Sequence, residues 1–179
     1  MKQKMEPNDI LFLYFAAHGG NLSGGTETTK TKGDEYINIG NVACTWPLDK
    51  QKILTDDDLY SMLKNSDGIK KWVVIDACDS GGFWGNNNIN DEGDLEKLKN
   101  IALLAASPEG ENTFYSSDEI PPLAYALEWA FSLDIDGLPR ADINKDGNVT
   151  IEEIYASAML FLKKFGKDIN DNIVYRTAF

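Results

Sequence analysis

Residues 10–20 read ILFLYFAAHGG and residues 72–82 read WVVIDACDSGG. Both begin as uninterrupted apolar runs of strand length, and both stop at a short polar turn rich in glycine. A run that is apolar at every position, rather than at every second one, is the pattern of a strand covered on both faces of a parallel sheet. Ile10 to Ala17 and Trp72 to Ile75 are read as two such strands, and Ile101 to Ala106, ended by Ser107, Pro108, Glu109 and Gly110, as a third. Elsewhere the periodicity turns helical. Thr55 is placed to cap a helix of about three turns whose first turn holds Asp56, Asp57 and Asp58 and whose apolar face holds Leu59, Met62 and Leu63, with Gly68 beyond its end. A second helix is expected from Leu123 to Leu133 behind Pro121 and Pro122. The third runs from Ile151 to Phe165, with Ile151, Ile154, Tyr155, Ala158, Met159, Leu162 and Phe165 on one face and Gly166 after it. Asp34 to Ile39 reads as a short strand, Asn172 to Phe179 as an edge strand, and Met1 to Met5 as the end of a helix closed by Pro7, Asn8 and Asp9. Residues 21–33 and 86–92 lack any period and read as exposed loops. The alternation gives an α/β fold with a mostly parallel central sheet flanked by helices.

Composition bounds the rest. The 179 residues carry 17 Lys and Arg against 29 Asp and Glu, a net charge of −12, with 42% hydrophobic residues, enough to fill one core. One globular domain over residues 1–179 is expected, without internal repeats, and disorder is excluded as a whole-chain description. No apolar run approaches the roughly 20 residues needed to cross a bilayer. The acidic balance repels phosphate backbones, which excludes nucleic acid as a partner class and favours cations and basic peptides. Two cysteines are too few for a disulfide framework and leave the redox compartment open.

The only histidine, His18, follows the first apolar run directly, and Cys78 holds the matching place beyond the second. Ligands gather at the carboxyl ends of strands in an open parallel sheet, because the loops diverge there and backbone N–H groups are free. Neighbouring strands lie about 4.8 Å apart, so a Cys–His dyad is geometrically natural. The pairing has a chemical purpose. A thiolate is the nucleophile, and an adjacent imidazole both favours it and later protonates the leaving amine. Gly19 brings a backbone N–H to a developing oxyanion without a Cβ in the way, alongside the N–H of Cys78. Free cysteine is commonly a small buried hydrophobe, but Asp76, Asp79 and Ser80 make the surroundings of Cys78 too polar for that reading.

An apolar strand ending in His-Gly, followed by one ending in Asp, any residue, Cys, any residue, Ser-Gly, resembles the caspase-like cysteine peptidases: caspases, metacaspases, legumains and their bacterial relatives. The resemblance runs from about Asp9 to about Tyr155 and implies a caspase-like sandwich that hydrolyses peptide bonds. Position by position it makes His18 the catalytic imidazole, Cys78 the nucleophile, and Gly19 with Cys78 the oxyanion hole. The family's sheet normally has strands before the His strand, and there is no room for them before Asn8. Strand 10–17 is then expected to be an open apolar edge, covered by an upstream segment or by a second copy of the chain. Asp76, two residues before Cys78, points to the nucleophile's side if the backbone stays extended. There it favours a basic residue before the scissile bond, as the matching acid does in metacaspases, or Asn, as legumains with an acid at this place choose, or else it only accepts backbone N–H bonds. Cleavage after Asp needs arginines, and Arg140 and Arg176 are the only two. The expected function is a cysteine endopeptidase acting on peptide or protein substrates without a metal in its chemistry. The alternative is an inactive caspase-like module that binds calcium and partners.

Residues 142–153, DINKDGNVTIEE, match a twelve-residue EF-hand loop. Asp142, Asn144, Asp146, Asn148, Thr150 and Glu153 supply oxygens at positions 1, 3, 5, 7, 9 and 12, and Gly147 supplies the tight turn at position 6. Ca2+ is the cation such a set suits. Thr150 with Glu153 also forms a capping box, a purely structural reading of the same residues. Cys44 reads as a simple thiol, and Trp84 as either a pocket wall or a packing residue.

Overall fold

The computed structural model describes residues 6, 9–22, 34–40, 52–66, 68–85, 93–113, 122–165 and 174–178. The expected end of a helix at Met1–Met5, the loop 86–92 and Cys44 lie outside these residues, as does most of loop 21–33. A four-stranded sheet forms the centre. Its strands are β1 (Ile10–Ala16), β5 (Lys70–Asp76), β6 (Ile101–Ala105) and β7 (Val174–Ala178), in that order. β1, β5 and β6 are parallel and β7 runs antiparallel to β6. A second, antiparallel sheet joins β2 (Gly19–Asn21), β3 (Glu35–Asn38) and β4 (Ile53–Thr55). Asn21, assigned to a loop on sequence, belongs to β2 instead.

The main sheet is covered on both faces, as an α/β sandwich requires. Val73, Ile75, Leu103 and Ile101 pack to one side with Leu59 and Leu63 of α1 (Asp56–Leu63), Ile37 and Phe83. Val74 and Leu104 pack to the other side with Leu123, Ala126 and Leu127 of α2 (Pro122–Phe131) and with Ile154, Ala158 and Leu162 of α3 (Ile151–Phe165). The expected caps are in place. Thr55 Oγ1 accepts from the Asp58 N–H at 3.2 Å while Asp58 Oδ2 accepts from the Thr55 N–H at 3.3 Å. Thr150 and Glu153 close the equivalent box on α3. α1 spans eight residues, a little over two turns, and its Met62 is 69% exposed rather than buried.

One strand departs from expectation. β1 alternates, with Leu11, Leu13 and Phe15 packed on the first core while Ile10, Phe12 and Tyr14 are 61%, 50% and 39% exposed. The cause is its place at the end of the strand order, where the helices over β5 and β6 cover the second face only in part. Phe12 packs on Trp72 at 4.8 Å between ring centroids, and Trp72 on Phe131 of α2 at 6.5 Å. β5 starts two residues earlier than the apolar run. Lys71 is 1% exposed within it, and its Nζ donates to the carbonyls of Ser66 and Ile69, both at 2.9 Å. Among the described residues no helix is long and apolar enough to cross a membrane.

Candidate active site

The site grows from the β1–β5 register. Ala16 pairs with Asp76, and the Ala17 N–H donates to the Asp76 carbonyl at 3.2 Å. His18 and Cys78 therefore lie at matching places, two residues past a paired position on adjacent strands. The backbones stay close beyond the pairing. A Cβ on Gly19 would sit 2.2 Å from the Cys78 carbonyl oxygen and 3.0 Å from Ala77 Cβ, so only glycine fits there. His18 is exposed, and its carbonyl accepts from the Asn38 N–H at 2.8 Å. Gly20 pairs with Tyr36 and Leu22 N–H donates to the Asp34 carbonyl. Along this ladder the hydrogen-bonded positions are 18, 20 and 22, so Gly19 falls between them with its N–H turned away from β3.

Cys78 is a free, half-buried thiol. Its Sγ donates to the Thr113 carbonyl at 3.6 Å. β5 ends at Asp76, and a short 3-10 turn, Ser80–Trp84, follows. The extended backbone assumed between Asp76 and Cys78 therefore stops at Asp76. Trp84 packs in the core.

Asp76 is fully buried. Its Oδ2 accepts from the Ala124 N–H, in the first turn of α2, at 3.0 Å and from the Tyr14 hydroxyl at 3.3 Å. Its Oδ1 has no hydrogen-bond partner among the described residues. Burial lifts this carboxyl to about 7, against the opposing pull of the Ala124 N–H and the Tyr14 hydroxyl. One oxygen thus serves the helix N-terminus, as the structural reading expected, and the other is left over. Tyr14 was invisible as a site residue in the sequence, because it sits inside an apolar run.

Behind the turn lies a group of acids. Asp34, Glu35, Asp56 and Asp94 are 7%, 4%, 3% and 2% exposed. Added Cβ atoms on Gly82 and Gly85 would lie 2.3 and 2.4 Å from the carboxylates of Glu35 and Asp94, so the glycines make room for them. Burial and then the charge of Glu109 raise Glu35 to about 7, with Asn21 opposing. Burial and then the charge of Glu35 raise Asp56 to about 9. Asp56, read from the sequence only as one of three acids in the first turn of a helix, is thus a buried acid. Four acids scattered over sixty residues of sequence carry no joint signal.

In the loop 142–153 the side chains bind the loop's own backbone. Asp142 Oδ1 and Oδ2 accept from the N–H groups of Asp146 and Gly147 at 3.1 and 3.0 Å, and Asn144 Oδ1 accepts from Asp146 N–H at 2.8 Å. Asp146 Oδ1 accepts from Asn148 N–H at 2.8 Å, and Glu153 Oε1 reaches back to the Asn144 N–H at 3.3 Å. Gly147 has φ 83°, the left-handed turn that position 6 requires. Val149, at position 8, packs on the second core. Among the described residues no three His, Cys, Asp or Glu side chains are gathered as a metal-ion site.

Comparison with known proteins places this geometry in a family. Residues 1–156 match the caspase domain. The chain belongs to the caspase family. The family is one of cysteine peptidases, and its fold accounts for the mostly parallel sheet with flanking helices. The chain is 34% identical over 83 residues to metacaspase-1 of Eremothecium gossypii, a match covering 44% of this chain and 17% of that protein. It is 28% identical over 111 residues to metacaspase-1A of Neurospora crassa, covering 56% of this chain and 23% of the relative. Metacaspase-5 of Trypanosoma brucei brucei is 30% identical over 83 residues, covering 44% and 15%. The chain thus spans less than a quarter of these relatives.

Proposed function

We propose that this caspase-family chain is a cysteine endopeptidase that cleaves after a basic residue. The observation that supports it is the register putting His18 and Cys78 at matching ends of adjacent parallel strands, with Gly19 pressed on the Cys78 backbone. In this reading His18 takes the thiol proton and the Cys78 thiolate attacks the substrate carbonyl. The oxyanion is held by the N–H groups of Gly19 and Cys78, the former turned away from its own ladder. His18 then protonates the leaving amine, and water hydrolyses the thioester. In this reading the side chains over Asp76, which is fully buried in the free chain, part on substrate binding so that Oδ1 meets the substrate ammonium or guanidinium. An opposing charge there favours the ionised carboxylate, offsetting the burial that disfavours it. Arginine-based recognition of an acidic side chain has little support: Arg140 stacks over Trp129 and bonds the Ser132 hydroxyl, and Arg176 is in β7.

Peptidyl electrophiles bearing Lys, Arg, Asn or Asp beside the warhead test the reading by intact mass, with Cys78→Ala as control. An adduct on Cys78 with the Lys or Arg probe is expected. No adduct from any probe overturns the peptidase reading in favour of an inactive interaction module. We also infer a stabilising Ca2+ at Asp142, Asn144, Asp146, Asn148, Thr150 and Glu153, supported by the Gly147 turn and by Glu153 folding back to Asn144. Calcium is expected to raise the melting temperature relative to chelator, and Glu153→Gln to remove the difference. Identical wild-type melts overturn it.

A further inference from the structure

The turn carrying Cys78 is clasped along one side by residues 107–113, and the clasp has an inner and an outer part. In the inner part the Ser107 hydroxyl donates to the Ala77 carbonyl at 3.1 Å, and the Gly81 N–H to the Ser107 carbonyl at 2.8 Å. Packing there is tight, since a Cβ on Gly81 would lie 2.8 Å from the Ser107 carbonyl oxygen and 2.9 Å from Pro108 Cα. The outer part belongs to Asp79. Its N–H donates to the Glu111 carbonyl at 2.9 Å, and its Oδ1 accepts from the Gly110 N–H at 2.7 Å. Two residues further on, the Thr113 carbonyl meets the Cys78 thiol.

Asp79 also has an uncommon backbone, φ 57° and ψ 11°, in the left-handed region. Aspartate and asparagine enter this region more readily than other side chains, because a short polar group can bond locally. Gly110, which it holds, is left-handed as well at φ 76°. The residue directly after the thiol therefore ties down a segment that has no strand or helix of its own.

We propose that Asp79 is a positioning residue, latching residues 109–113 against the nucleophile turn so that this segment forms the wall along which a peptide is aligned over Cys78. The proposal rests on the peptidase reading. Its leverage comes from geometry, because a reacting group displaced by about 1 Å can lose roughly a hundredfold in rate. What the latch needs is an acceptor oxygen on a residue that tolerates a left-handed backbone. Asn keeps both, Gly keeps only the backbone, and Ala keeps neither.

The test compares wild type with Asp79→Asn, Asp79→Gly and Asp79→Ala by two readouts. One is hydrogen exchange of the peptide covering 107–113. The other is the labelling rate of Cys78 by a Lys or Arg peptidyl electrophile, set against iodoacetamide, which needs no peptide alignment. Asp79→Gly and Asp79→Ala are expected to speed exchange about tenfold and to slow peptidyl labelling roughly tenfold to a hundredfold, leaving iodoacetamide labelling within about twofold. Asp79→Asn should match wild type in both. Unchanged exchange in Asp79→Gly, equal loss toward both reagents, or an Asn variant as impaired as Gly overturns the latch. A wild-type thiol that takes iodoacetamide but ignores every peptidyl probe overturns the peptidase reading, while the exchange readout still decides the latch.

Discussion

Asp56→Asn should make this protein more stable at neutral and alkaline pH, although it removes a charged side chain. The Asp56 carboxyl is 3% exposed, and burial together with the charge of Glu35 raises it from 3.8 to about 9. A raised folded-state value means that the folded chain holds a proton which the unfolded chain releases. The stability this group supports is therefore full below about pH 4, where both states are protonated, and is lost progressively as the pH climbs toward 9. One proton of difference is worth about 1.4 kcal/mol per pH unit. Between pH 6 and 8 the Asp56 carboxyl alone should cost the wild type close to 3 kcal/mol, a large share of a typical domain's stability. The asparagine of this variant cannot ionise, yet keeps a carbonyl oxygen for the Asp57 N–H that Asp56 Oδ1 accepts at 2.9 Å. The variant should match wild type near pH 4 and lead it by an amount growing with pH. Urea unfolding at pH 5, 6, 7 and 8, followed by tryptophan fluorescence with chelator present, measures both curves. Parallel curves for the two proteins would refute the buried-acid account.

Three further expectations follow from the site and the sheet. Asp76→Asn should lower the labelling rate of Cys78 by Lys and Arg probes by roughly tenfold or more, with little effect on an Asn probe; equal losses for all probes would mean that Asp76 acts only through the Ala124 N–H. Gly19→Ala places a Cβ against the Cys78 carbonyl and should cost about 1–3 kcal/mol by thermal or urea unfolding and displace the nucleophile turn; a wild-type melt would show that the two backbones are further apart than described. Phe12→Lys puts a charge on the exposed face of the end strand and should reduce concentration-dependent light scattering without lowering the melting temperature by more than a few degrees; unchanged scattering would show that this edge is not the sticky surface.

The elements that rest on local chemistry are legible along the chain. The apolar runs at Trp72–Ile75 and Ile101–Ala105 became central strands, the Thr55 and Thr150 boxes started their helices, and Pro122 opened α2. The sequence also put His18 and Cys78 just past the ends of two strands, because each apolar run visibly stops there. What it did not determine is what each surface would meet. The run 10–17 looks the same whether one face or both are covered, and only its place at the end of the sheet left Ile10, Phe12 and Tyr14 exposed. Lys71 reads as polar, yet two carbonyls at the mouth of the strand satisfy its ammonium and let it be buried. Asp56 reads only as one of three acids in the first turn of a helix, yet it turns toward Glu35 and Asp94, and the leftover oxygen of Asp76 depends on where Tyr14 and Ala124 come to rest. The Asp79 to Gly110 bond joins residues separated by thirty-one positions. Periodicity and capping act over a few residues and can be read along the chain; desolvation, charge repulsion and long-range hydrogen bonds depend on neighbours that only folding brings together.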